Sequence, residues 1–242
     1  MKLDVSNWSI RLVTLFLATD VVLIFLHILY VYTGVISNPS FSIEEERGYA
    51  EIFQYFKEYW LALLLCFLAV RGRSLLYLSW SLLFFYLLLD DALQIHEKLG
   101  YAISYKLKFS AGFNLRTEDF GELAVSALVG LFFLIFIATA YRFSDRLSKE
   151  ISRYLIMMLF TLALFGIAVD MVHAAVRSPS LHTLLGLVED GGELVVMSVI
   201  TCFVFSLPER LQLRTDKLRG LEKAFPSKDS DRAFIASPKT PR

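Results

Sequence analysis

Asp90, Asp91, His96 and Glu97 fall within eight residues of one another in LLFFYLLLDDALQIHEKLG, residues 82–100. The stretch opens as membrane-grade apolar sequence and acquires four ionisable side chains before the span has clearly ended. Such groups are expensive at membrane depth, so they mark functional sites with partners on neighbouring helices. The chain supplies those partners. Asp20 lies mid-way along an apolar run, with His27 toward its end; Glu51, Gln54 and Glu58 open the next run. Glu118, Asp119 and Glu122 precede a fourth, Asp170 and His173 end a fifth, and Glu189, Asp190 and Glu193 open a sixth. When the runs alternate in direction, all of these fall at one level, in the outer half of the membrane.

Many carboxylates at one level repel one another unless protonated or neutralised by cations. A multivalent metal with oxygen and imidazole ligands answers that electrostatic problem directly. The spacings agree: Asp170 and His173 are i,i+3, Glu189 and Glu193 are i,i+4, and Asp20 and His27 are i,i+7, each pair on one helical face. Helical carboxylate–histidine bundles hold di-iron and di-manganese centres in this way, although only one such i,i+3 pair occurs here. The expected ligands of one or two divalent ions (Zn, Fe or Mn) are His27, Asp90, His96, Glu122, Asp170, His173, Glu189 and Glu193. Asp91 and Glu97 are the expected catalytic carboxylates. His96 is about 140° around a regular helix from Asp91, so the two cooperate only where the helix turns. His182 has no assigned role.

Simpler roles compete for some of these residues. Glu118, Asp119, Glu189 and Asp190 stand near helix N-termini, where the macrodipole favours negative charge by about 0.3–1 kcal/mol. Thr117 and Thr183 are the expected N-caps. Asp90, Asp91 and Asp170 approach C-termini, where the dipole opposes them, and a mid-span carboxylate such as Asp20 costs about 2.5–3.5 kcal/mol.

The elements that must position these groups are six apolar windows, each near the roughly 20 residues a spanning helix needs: 9–33, 50–70, 75–96, 119–141, 154–175 and 184–206. The chain is 56% hydrophobic with a mean hydropathy of +0.55 and 21 Phe, too apolar for an ordinary soluble domain. The first run is long, contains Asp20 and lacks a small-residue cleavage site, so it reads as a retained span. The expected fold is an all-α, polytopic bundle of six transmembrane helices over 1–207. A cytoplasmic basic tail over 208–242 follows, part amphipathic helix and part disordered. Most of the 24 Lys and Arg flank one side, which predicts cytoplasmic termini in a cell (inner) membrane and a site facing the outer or periplasmic side. Cys66 and Cys202 lie in apolar runs and suggest neither a disulfide nor a thiolate metal motif.

EDFGELAV (118–125) and EDGGELVV (189–196) agree at six of eight positions. They suggest three pseudo-repeated hairpins delivering Asp20/His27/Glu51, Asp90/His96/Glu122 and Asp170/His173/Glu193. Gly121, Gly191 and Gly192 within these segments suit close helix packing.

Four functions follow. The first is a metal-dependent membrane enzyme, a hydrolase or di-metal oxidase acting on a lipid or other hydrophobic substrate. The second is a proton- or cation-coupled transporter or channel. A haem-binding electron-transfer bundle and a non-catalytic scaffold are the others. Membrane lipids and a hydrophobic small molecule are the expected partners, with no nucleic acid; the oligomeric state stays open. No nucleotide loop, nucleophile elbow, zincin motif or c-type haem motif occurs.

Overall fold

A computed structural model describes residues 7–212. They are helical throughout: α1 (Asn7–Thr33), a 3-10 turn (Pro39–Phe41), α2 (Tyr49–Gly72), α3 (Leu75–Leu93), α4 (Ile95–Leu107), α5 (Thr117–Phe143), α6 (Arg146–Ala163), a π-helical turn (Leu164–Val169), α7 (Asp170–Ala175) and α8 (Pro179–Phe205). Six helical stretches, built on α1, α2, α3, α5, α6–α7 and α8, are long and apolar enough to cross a membrane. The chain divides into compact units between Phe205 and Ser206. Of the second unit only 206–212 are described, and 207–212 are helical. The expected tail structure beyond 212 lies outside the described residues.

The six expected windows become helices, with four differences in detail. The third ends at Leu93, because Gln94 takes a left-handed conformation (φ 54°) and breaks the helix. The segment expected as a loop from 98 onward is instead mostly α4, which is too short and polar to register as a span. The fifth helix starts at Arg146, eight residues before the apolar window, because Asp145 caps it by accepting from the Leu147 and Ser148 amides. Neither threonine is a cap. Arg116 caps α5 in a capping box with Asp119, and Thr183 lies inside α8, which starts at Pro179.

Packing is antiparallel between α2 and α3, between α4 and α5, and between α1 and α8, with α8 also lying along α2, α6 and the π turn. Leu61, Leu65, Leu76, Trp80, Phe84 and Ile200 are fully buried and form the core. Leu15, Phe132, Met157 and Phe160 are each more than 60% exposed on the bundle's outside. A water-facing surface of that kind is an aggregation liability, whereas acyl chains cover it without cost.

Glycines set the closest approaches. A Cβ at Gly121 would strike the Gly100 carbonyl, so α5 lies directly on α4 there. Glu122 then crosses Gly100, and Glu193 reaches Gly166 in the π turn. In each case the glutamate of the shared G-E-L segment packs on a glycine of a preceding element. Extra atoms at such a contact cost about 1–3 kcal/mol. Gly121→Ala is therefore expected to lower the detergent unfolding midpoint by several degrees. Gly130→Ala, in the same helix but facing open space, serves as the control and should leave it unchanged or slightly raised.

Candidate functional site

Behind the loop end of the bundle sits a buried cation. Lys57 of α2 is fully buried, and its ammonium donates to the Leu194 carbonyl (2.8 Å) and the Ser198 hydroxyl (3.2 Å) of α8. It lies 3.5 Å from the Asp20 carboxylate of α1, which is also fully buried, and 4.7 Å above the Phe53 ring. Two of the ammonium's donors thus have hydrogen-bond acceptors, and Asp20 supplies the opposite charge as an ion pair. One side chain joins α1, α2 and α8. Lys57 therefore lies inside the bundle and not in an outer flank.

Beside Lys57, Glu58 is also buried, next to Asp91 of α3, and its Oε2 has no hydrogen-bond partner. Asp91 and Glu193 in turn face a cup of about 210 Å³. Eight carboxylates line it: Glu44, Glu45 and Glu46 from the loop before α2, Glu51 of α2, Asp91 of α3, Glu97 of α4, and Asp190 and Glu193 of α8. One imidazole, His96, joins them, along with Gln54, but no Lys or Arg does. The loop is tied to the rim. The Arg47 amide donates to Glu51, the Gln94 amide group donates to Glu46, and the Tyr55 hydroxyl donates to Glu51 at 2.5 Å.

The left-handed break at Gln94 turns His96 back over the end of α3. The Asp90 carboxylate accepts from the His96 amide (2.8 Å), faces the His96 ring at 3.2 Å and also hydrogen-bonds Tyr86. Asp90 therefore serves the first turn of α4, so the local compensation that seemed absent from a helix C-terminus is present. The hydrogen bond to Asp90, outweighing burial, raises the His96 imidazole to about 9. Burial also raises Glu97, with Glu46 contributing.

A second group lies alongside the cup. His173 Nδ1 is 2.6 Å from Glu189, and its Nε2 is 2.9 Å from Nδ1 of the exposed His182. Asp170 lies beside Glu189. Glu44 and His173 both crowd the space that a Gly186 Cβ would fill, so the cup and this group meet there.

The expected site residues thus gather at one end, but as chains and pairs. Asp91, His96, Glu97 and Glu193 line the cup. Asp170, His173 and Glu189 form the adjoining group, and Asp90 supports His96. Glu122 approaches His96 and Glu97 from α5. His27 is set apart. It is fully buried, its Nδ1 accepts from the Ile43 amide (3.3 Å) and lies 3.2 Å from the Ser42 hydroxyl, and it anchors the loop. Among the described residues, no three His, Cys, Asp or Glu side chains converge as metal ligands. A resident metal centre is therefore not supported: His27 and Asp90 are directed at backbone amides, and His173 and Glu189 at each other. Cys66 and Cys202 are free thiols. Lys57, Glu58 and the Glu44–Glu46 run went unassigned in the sequence; a lone lysine inside an apolar window was the available signal.

Three substitutions test this geometry. Removing one member of a buried ion pair costs about 3–5 kcal/mol, because the other charge is stranded. Lys57→Met should destabilise the detergent-solubilised protein by about that amount, and Asp20→Asn combined with it should recover much of the loss; chemical denaturation reads both. His96, raised in the folded state, contributes stability fully present below the ordinary imidazole value of 6.5 and lost as pH rises through about 9. Asp90→Asn should bring the His96 titration, followed by imidazole ¹³C NMR, back toward 6.5 and remove that stability loss.

No curated protein and no solved structure matches the chain. A family model does match residues 10–207, the whole six-helix bundle with its acidic cup, and on that match the chain belongs to the family described as Domain of unknown function (DUF8692).

Proposed function

We propose that this multi-pass membrane protein binds a small cation in the acidic cup and exchanges it against protons, as a proton- or cation-coupled carrier does. The observation that carries the reading is the composition of the cup: eight carboxylates from five elements, one imidazole and no basic side chain. Lys57, the nearest buried cation, is held behind the wall by Asp20, Ser198 and Leu194. An incoming cation would meet carboxylates with no Lys or Arg among them, and carboxyl groups of the cup would release protons in exchange.

Size narrows the solute. Drug-sized ligands occupy about 300–1,000 Å³, and the cup offers about 210 Å³. A hydrated inorganic ion or a small amine fits better than a lipid. The flanking Lys and Arg favour cytoplasmic termini, with the cup opening to the outer side of the cell membrane. One observation favours a second reading: the Asp90–His96 pair on the rim has the carboxylate–imidazole arrangement of a general base. Among the described residues no Ser, Thr or Cys lines the cup, so an enzyme here would use water or a carboxylate as nucleophile.

Calorimetric titration of the purified protein with methylammonium, Mg2+ and Ca2+, together with flux of the same ions in proteoliposomes under a pH gradient, tests the proposal. At least one ion should bind and move with proton countermovement. Glu193→Gln should weaken its binding about tenfold or more, the loss of one charge-assisted contact. Absence of both binding and flux for all three ions would overturn it.

A further inference from the structure

The group beside the cup has an order that the cup lacks. Its members form a single hydrogen-bonded file, from solvent inward. His182 is exposed at the start of α8; its Nδ1 lies 2.9 Å from Nε2 of His173, whose Nδ1 lies 2.6 Å from Glu189 Oε2. Asp170 lies beside Glu189, and the next residue, Asp190, lines the cup. Glu44, another lining residue, reaches His173 over Gly186, where a side chain of any size would separate them. Resting on the cation–proton exchange reading above, we propose that His182 and His173 are the proton inlet of the cup, passing protons between outside solvent and Glu189.

Each imidazole can take a proton on one nitrogen and release one from the other. A solvent proton added at Nε2 of His182 makes that ring a double donor, and the proton on Nδ1 passes to Nε2 of His173. His173 then releases the proton on its own Nδ1 to Glu189. One proton has moved inward, and each ring returns to its starting form by exchanging tautomers. The groups that face this file are all acidic or imidazole: Glu189 from α8, Asp170 on α7 itself and Glu44 from the loop. Asp119 of α5 and His96 of α4 act on Asp170 from the far side. Arg177, the nearest cation along the chain, turns away to the Asn114 carbonyl at 2.7 Å. No fixed positive charge therefore blocks the file, and negative groups line its inner end.

The test uses full-length protein in proteoliposomes with whichever of the three probe ions binds, following internal acidification at outside pH 5.5 and 7.5. His182→Gln and His173→Gln should each slow proton-coupled flux at least tenfold while changing probe affinity less than twofold. Free imidazole outside should restore part of the flux to His182→Gln, a rescue that a merely structural role would not show. Because His182 is exposed, its variant remains informative if His173→Gln fails to fold. Wild-type affinity with undiminished coupled flux in His182→Gln would overturn the inlet and leave the cup reading intact. So would a flux defect in that variant that imidazole does not relieve. A wild-type protein that binds none of the probes would overturn the cup reading itself.

Discussion

The buried ammonium of Lys57 is the constraint on which the rest of the structure depends. A lysine in the interior of a membrane bundle is tolerable only when every donor is met and an opposite charge lies close by. Asp20 supplies the charge from α1, and Leu194 and Ser198 supply acceptors from α8. This one side chain therefore fixes three helices relative to one another at mid-bundle. The aromatic contacts of Phe16 with Phe53, Trp60 and Phe205 join the same three helices next to it. Because Lys57 is committed there, it does not neutralise the carboxylates nearer the loop end.

That division explains how so much acid can share one end of a small bundle. Some carboxyls lie against one another, Glu58 beside Asp91 and Glu189 beside Asp170. Others are satisfied by helix starts: Asp90 at the His96 amide, and Asp119 in the α5 capping box, where it also meets the Arg116 guanidinium at 2.8 Å. The remainder face the cup, which water can enter. The π turn at 164–169 has a place in the same scheme: Gly166 within it leaves room for the Glu193 carboxyl, and Phe165 closes over Gly192. Irregular turns of this kind recur beside functional groups, because they re-aim a helix without breaking it.

The six apolar windows were legible because length and hydropathy dominate membrane insertion, and the level at which acids and histidines collect followed from alternation of the spans. The partners were not legible. Asp90 and His96 meet because Gln94 adopts a left-handed conformation, and nothing in the local sequence demands that. His27 spaces like a ligand at i,i+7 from Asp20, yet it is consumed by a loop whose amide at Ile43 needs an acceptor. A metal centre is not supported by the fold, because no three such side chains converge among the described residues. Crowded carboxylates still need compensation, and the fold sets helix amides and imidazoles beside several of them.

If the cup takes up a cation by releasing protons, calorimetry of probe-ion binding in buffers of different ionisation enthalpy measures the exchange directly. The account predicts an observed heat that varies linearly with buffer ionisation enthalpy, with a slope of about one proton or more released per ion bound. A binding heat independent of the buffer would contradict it.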